Sequence, residues 1–157
     1  MTTRQSSIDR VAQAARSLSL EIEIRRMAQS TRTAEEAAAA CGCAVDQIVK
    51  SLIFAGESSG EFRLLLVAGG NRVDMAKIAD VVGEGLTRAD PRKVRDKTGF
   101  AIGGVAPIGH LAPIDCYMDQ RLLEFDTVWA AAGRPDSVFQ VNARALAEAT
   151  EATLFIA

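Results

Sequence analysis

Ile48-Val49-Lys50-Ser51-Leu52-Ile53-Phe54-Ala55, Gly56-Glu57-Ser58-Ser59-Gly60, and then Phe62-Arg63-Leu64-Leu65-Leu66-Val67-Ala68 form the stretch on which the fold turns. Two runs rich in β-branched and aromatic residues flank a segment of turn composition, the pattern of an antiparallel hairpin. Gly69-Gly70-Asn71 breaks the second run. Downstream, Asp74 reads as the N-cap of a helix with apolar positions at Met75, Ile78, Ala79 and Val82, closed by Gly83. Asp90-Pro91 opens another helix, with Asp as N-cap and Pro at the first helical position, and Gly99 ends it. Pro113 to Met118 reads as a strand and Asp119 to Leu123 as one or two helical turns. Thr127 to Ala131 and Ser137 to Val141 read as strands joined by Gly133-Arg134-Pro135-Asp136. Asn142 caps a helix to Thr150, and Thr153 to Ile156 is a terminal strand.

Upstream of the hairpin, Ile8, Val11, Ala12, Ala15 and Leu18 make a helical stripe with Ser7 as its expected N-cap. Leu20, Ile22 and Ile24 alternate with Glu21, Glu23 and Arg25, a half-buried strand. Thr33-Ala34-Glu35-Glu36 reads as a capping box opening a helix to Ala40, and Gly42 closes it. About seven strands therefore interleave with about five short helices. Neighbouring strands joined by hairpins require a mixed sheet, so the expected class is α+β: a mixed, largely antiparallel sheet flanked by short helices.

The chain has 157 residues, 48% apolar and 24% charged, with 18 basic and 20 acidic side chains and a net charge of -2. That composition predicts a single globular domain over residues 1–157 with a real core, not a disordered tail. A sequence pI of about 5.5 argues against a surface coated in positive charge for duplex binding. The first twenty residues hold Arg4, Asp9, Arg10 and Arg16 and no long apolar run, so no signal peptide is read there. The longest uncharged stretch, Thr98 to Ile114, contains four glycines, two prolines and His110, which is no membrane span. Three cysteines without an export signal point to a reducing cytoplasm.

Among catalytic signatures, the P-loop and G-x-G-x-x-G are absent, and Gly56-Glu57-Ser58-Ser59-Gly60, which fits G-x-S-x-G by letter, falls in the turn between the two strand runs rather than between a strand and a helix. A single histidine excludes any metal site needing two. Cys41, Cys43, Cys116 and His110 are of zinc-ligand type, but the C-x-C spacing is a weak signal, and reduced buried thiols are the plainer reading. No serine sits in a nucleophile-elbow context that would make a triad with His110.

Three features remain. Gly99-Phe100-Ala101-Ile102-Gly103-Gly104-Val105-Ala106-Pro107-Ile108-Gly109-His110 is a glycine-rich loop stiffened by Pro107. Such a loop either cradles a ligand with main-chain N–H groups or is an ordinary connector. Lys50 is a lone charge in an apolar strand. It points either into a polar cleft, to meet a phosphate or hydroxyl, or into solvent. Residues 63–109 carry eight basic and five acidic groups, whereas residues 110–157 carry three and seven. The basic excess gathers at Arg88, Arg92, Lys93, Arg95 and Lys97, where it either steers a phosphate backbone toward the loop or forms a solvated helix face with Asp90 and Asp96.

These elements, in this order and spacing, resemble the YbaK/ProX family of aminoacyl-tRNA editing domains. The resemblance rests on Ile48-Val49-Lys50-Ser51-Leu52, Leu65-Leu66-Val67-Ala68-Gly69, Val73-Asp74-Met75-Ala76-Lys77-Ile78, Gly103-Gly104-Val105-Ala106-Pro107-Ile108-Gly109-His110 and Val128-Trp129-Ala130-Ala131-Ala132-Gly133. It implies a partly open barrel and a deacylase that acts in trans on the ester of mischarged aminoacyl-tRNA, with the tRNA-Pro class as substrate. It implies catalysis by Lys50 and by Gly103, Gly104, Val105, Ala106 and Pro107, without a protein nucleophile. Ser51, Gly109 and His110 would bind substrate, His110 otherwise serving as a structural hydrogen-bonder. Phe54, Met75 and Ile102 either line a pocket or are plain core. The basic run would contact tRNA. The implied partner is the tRNA 3' acceptor end, with docking on an aminoacyl-tRNA synthetase left open; no metal, other cofactor, DNA or membrane is implied. A non-catalytic module binding tRNA or a synthetase through the same fold is the rival reading.

Overall fold

A computed structural model describes residues 6–28, 31 and 33–157. Arg4, counted above among the N-terminal charges, lies outside the described residues. The opening hairpin is present as β2 (Val49–Gly56) and β3 (Phe62–Ala68), paired antiparallel from Val49↔Ala68 to Ala55↔Phe62. Its turn is tied down by Glu84, whose carboxylate accepts from the Ser58 and Ser59 amides, at 2.9 and 3.0 Å, and from the Ser59 hydroxyl at 2.7 Å.

The helices form where their caps predict. In α2 (Ala34–Cys41) the Thr33 hydroxyl accepts from the Glu36 amide and Gly42 ends the helix in the left-handed conformation. Asp74 caps α3 (Met75–Val82), Asp90 caps α4 (Pro91–Thr98) and Asn142 caps α5 (Ala143–Thr150). The first helix, α1 (Ser7–Ser17), is capped one residue earlier than expected: the Ser6 hydroxyl accepts from the Asp9 amide, so Ser7 is already helical.

The remaining strands are β1 (Glu23–Arg26), β4 (Leu86–Arg88), β5 (Asp115–Asp119), β6 (Thr127–Ala131), β7 (Ser137–Asn142) and β8 (Thr153–Phe155). Five strands form one sheet in the order β4-β2-β3-β5-β8, with β3–β5 and β5–β8 parallel. Three form a second sheet, β1-β7-β6, antiparallel throughout. Among the described residues one bridge, Ile48↔Trp129, joins the edges of the two sheets, which do not close, and this is the partly open barrel. Between them lies the core around Leu64, Leu66, Phe100, Met118 and Phe139, covered by α1 and α5 through Val11 and Leu146. The outer face of the larger sheet packs Leu65 and Val67 against Ile78 of α3.

Two boundaries move. β1 pairs from Glu23, not Leu20: its register with β7 stops at Glu23↔Gln140, before the end of β7 at Asn142, so Leu20 and Ile22 lie outside the ladder. β4 was not expected: its three residues, two of them exposed, carry no alternation to read.

Candidate functional site

The two sheets diverge from the Ile48↔Trp129 bridge, and a cleft of about 380 Å³ opens there. One wall is β2. Its pairing with β4 begins only at Phe54, so among the described residues Val49 to Ile53 have no strand on the cleft side. The opposite wall is Trp129, Ala130 and Ala131 of β6 with Ser137 and Val138 of β7. Thr31, Thr33, Ala34 and Ala37 close a third side, and Ile102, Gly103 and Val105 of the glycine loop a fourth. Thus Lys50, Ser51 and the loop, far apart in sequence, meet at one cleft.

Lys50 is half-buried and lines the cleft, and its Nζ donates to the Asn71 main-chain carbonyl. An ammonium has three donors; among the described residues this carbonyl takes one, leaving capacity for a ligand. The Ser51 Oγ is shut off from solvent yet has no hydrogen-bond partner among the described residues. A buried hydroxyl without a partner is costly, and Ser51 is one of the residues that line the cleft. The other hydroxyls of the wall are engaged: Thr31 donates to the Pro135 carbonyl, Thr33 caps α2, and Ser137 donates to Asp136 Oδ1 at 3.0 Å.

The loop divides into a cleft face and an anchor. Gly103 has φ +96°, in the left-handed region, and a Cβ there would meet nothing within 4 Å. Gly104 is a glycine for the opposite reason: a Cβ would lie 3.0–3.1 Å from the Arg134 main chain, so the loop lies backbone to backbone on the β6–β7 turn. Val105 is buried and lines the cleft; Ala106 and Pro107 are buried and do not. His110 Nε2 is 2.7 Å from the Ala106 carbonyl, and its ring meets Phe100 edge to face at 5.9 Å. Burial pushes the imidazole below its usual pKa, opposed by the bond to Ala106 and reinforced by Arg10. The Arg10 guanidinium lies over Phe100 and donates to the Gly99 carbonyl at 2.6 Å. A Cβ at Gly109 would lie 3.2 Å from the Arg10 carbonyl oxygen, so the loop packs closely on the main chain of α1. Gly109 and His110 therefore fasten the loop to the body and are not among the cleft-lining residues.

Arg88, Arg92, Lys93, Arg95 and Lys97 are exposed and form a group apart from the cleft walls. Arg88 pairs with Phe54 and Lys97 stacks on Phe62 at 4.8 Å, both at the turn end of the hairpin. Four residues along β2 place that end roughly 13 Å from Lys50. The three thiols do not converge. Cys41 and Cys43 flank the end of α2 and Cys116 is in the main core, where burial pushes Cys43 and Cys116 up to about 11. Among the described residues no three His, Cys, Asp or Glu side chains are placed to share a metal ion. Of the apolar candidates, Ile102 lines the cleft, whereas Phe54 packs on the α3 side and Met75 is exposed.

Trp129, Ser137, Thr31 and Thr33 were not singled out from the sequence as site residues. Trp129 lay inside a strand pattern that reads as core, and only the opposing sheet makes it a wall. Arg25 lies over its ring at 5.2 Å. No carboxylate, imidazole or thiol lines the cleft among the described residues.

Residues 28–149 match the family model of the aminoacyl-tRNA editing domain. A solved structure of a candidate trans-editing enzyme for prolyl-tRNA synthetase superposes with a TM-score of 0.88 at 43% identity, covering 98% of both chains. The Bacillus subtilis protein YwhH is 33% identical over 129 residues, 82% of this chain and 81% of that protein. A proline–tRNA ligase from Thermosipho melanesiensis is 33% identical over 81 residues, 51% of this chain and 14% of the ligase. No helix among the described residues is long and apolar enough to cross a membrane. The matched span holds β2 to β7 and every wall of the cleft, and the chain belongs to the aminoacyl-tRNA editing domain family.

Proposed function

We propose that this chain is a free-standing trans-editing deacylase that hydrolyses the ester of a mischarged aminoacyl-tRNA of the tRNA-Pro class. The observation that carries the reading is the convergence of Lys50, of Ser51 with its unpartnered hydroxyl, and of Gly103 and Val105 of the loop on one cleft. The likeness to a candidate trans-editing enzyme, covered over 98% of its length, supports action in trans.

An aminoacyl ester is activated, so a placed water and a stabilised oxyanion suffice. Water attacks the ester carbonyl carbon, the bond to the ribose oxygen breaks, and free amino acid and a tRNA hydroxyl leave. Lys50 directs its remaining donors to the terminal nucleotide, and Ser51 supplies a hydrogen bond to the bound ester. The loop backbone at Gly103, Gly104 and Val105 faces the reacting carbonyl, with Ala106 and Pro107 holding its path. His110, bonded to Ala106, keeps the loop in place beside bound substrate. The walls from α2, β6 and β7 admit a small side chain and exclude a larger one. The basic run of β4 and α4 receives tRNA phosphates.

Wild type and Lys50→Ala are assayed on tRNA-Pro charged with Ala, Cys, Ser and Pro, with Ala-tRNA-Ala and Thr- and Ser-charged controls. Hydrolysis of one mischarged tRNA-Pro, cut in the variant to a small but measurable residual rate, is the expected result. Binding of tRNA without turnover on any of them replaces this reading with the non-catalytic module.

A further inference from the structure

A lysine on a strand carries its ammonium on a flexible four-carbon stem, so the strand alone does not set where the charge sits. Here the Nζ is held by the carbonyl of Asn71, just past the end of β3. That carbonyl belongs to a turn fastened from several sides. The Asn71 amide donates to the Ala68 carbonyl at 2.9 Å. The Asn71 side chain donates from Nδ2 to Asp119 Oδ2 at 2.9 Å, and the same oxygen accepts from the Ala68 amide at 3.1 Å. The Gly70 amide donates to Asp46 Oδ1 at 2.9 Å, and Asp46 Oδ2 accepts from Arg121 Nε at 3.0 Å. At Gly69 a Cβ would run into the Val45 carbonyl, so the turn is also closed from behind.

Asp119 is the hub. It is 1% exposed, at the end of β5. Its Oδ1 caps the following turn by accepting from the Arg121 amide at 3.0 Å, an ordinary capping role. Capping does not account for Oδ2, whose donors are both in the segment that carries the Lys50 acceptor. A buried carboxylate is tolerated only when its lone pairs are filled. Three donors fill this one, and two of them immobilise the turn.

We propose that Asp119, acting through Asn71, is the positioning residue that sets the Lys50 ammonium at the cleft; this rests on the role given to Lys50 above. Lys50 is the one half-buried lysine of four, since Lys77, Lys93 and Lys97 are exposed. Asn71→Ala removes the side-chain tie but keeps the carbonyl, at a half-buried position. Asp119→Asn keeps the volume and takes away one acceptor.

The first arm is NMR of protein labelled only at lysine, with the Lys50 side-chain signal assigned by Lys50→Arg. Lys50 is expected to stand apart from the three exposed lysines in wild type and to move to their shifts in Asn71→Ala, with the backbone spectrum and melting transition kept. The second arm is a double-mutant cycle on deacylation. Asn71→Ala is expected to lower kcat/KM about tenfold in the wild-type background, the worth of one hydrogen bond, and less than twofold beside Lys50→Ala. Asp119→Asn is expected to follow Asn71→Ala in both arms, and if it does not fold, Asn71→Ala decides alone. A Lys50 signal unmoved by Asn71→Ala, or full loss repeated in the Lys50→Ala background, overturns the proposal. If wild type hydrolyses nothing, the editing role of Lys50 falls, and the NMR arm by itself decides whether Asp119 positions it.

Discussion

Removing the Ser51 hydroxyl is expected to act in opposite directions on stability and activity. Ser51→Ala takes away a buried polar atom with no partner, so thermal stability stays level or rises by up to about 1 kcal/mol. Deacylation falls, because that hydroxyl is unengaged until substrate arrives. Loss of stability in a melt with activity unchanged would make Ser51 plain core. At the loop, Gly104→Ala is expected to destabilise by about 1–3 kcal/mol, since its Cβ presses on the Arg134 main chain, which has little room to move. A melting curve checks it. Lys50 was legible in the sequence because one charge interrupts an apolar strand, and Ser51 came with it. Ser137 and Trp129 were not, because a side chain becomes a cleft wall only through a partner sheet more than seventy residues away in the chain. His110 was legible as a ring beside a glycine loop, but its bond to the Ala106 carbonyl depends on how the loop folds back.

The helices were legible almost to the residue, because a cap is local chemistry: Thr33, Asp74, Asp90 and Asn142 each accept from an amide two or three positions ahead. Strand limits were less so, because pairing belongs to two segments at once, as the shift of β1 and the unforeseen β4 illustrate. The loop as an element carries a pH signature. The unfolded chain protonates its one histidine near pH 6.5, whereas in the fold burial lowers that value. Below pH 6.5 protons therefore favour the unfolded chain. The contribution of His110 is complete above that pH and lost as the pH falls through it, at up to about 1.4 kcal/mol per pH unit. Denaturation at pH 5.0 and 7.0 is expected to show this slope, and His110→Asn to flatten it. An equal slope in the variant would assign the loss to another group.

At the scale of the molecule, a net charge of -2 coexists with an exposed basic group on β4 and α4. If that group receives phosphates, Arg92→Glu with Lys93→Glu raises KM for whole tRNA several-fold and weakens its salt dependence. An aminoacyl-adenosine substrate, which lacks the tRNA body, is expected to be hydrolysed as before. Kinetics at two salt concentrations with both substrates check this, and equal effects on the two would remove the basic group from recognition. The overall topology was legible as a mixed sheet, but its division into two sheets was not. That division follows from a single bridge at Ile48↔Trp129, beyond which no pairing joins the two sheets among the described residues. The gap has an evolutionary consequence. On the reading proposed above, the reactive parts lie on β2 and on loop backbone, while the surfaces that would judge a substrate's size hang from α2, β6 and β7. Selectivity would then be carried by interchangeable side chains on a separate rim, and a few point changes there would retarget the proposed activity while its chemistry is inherited intact.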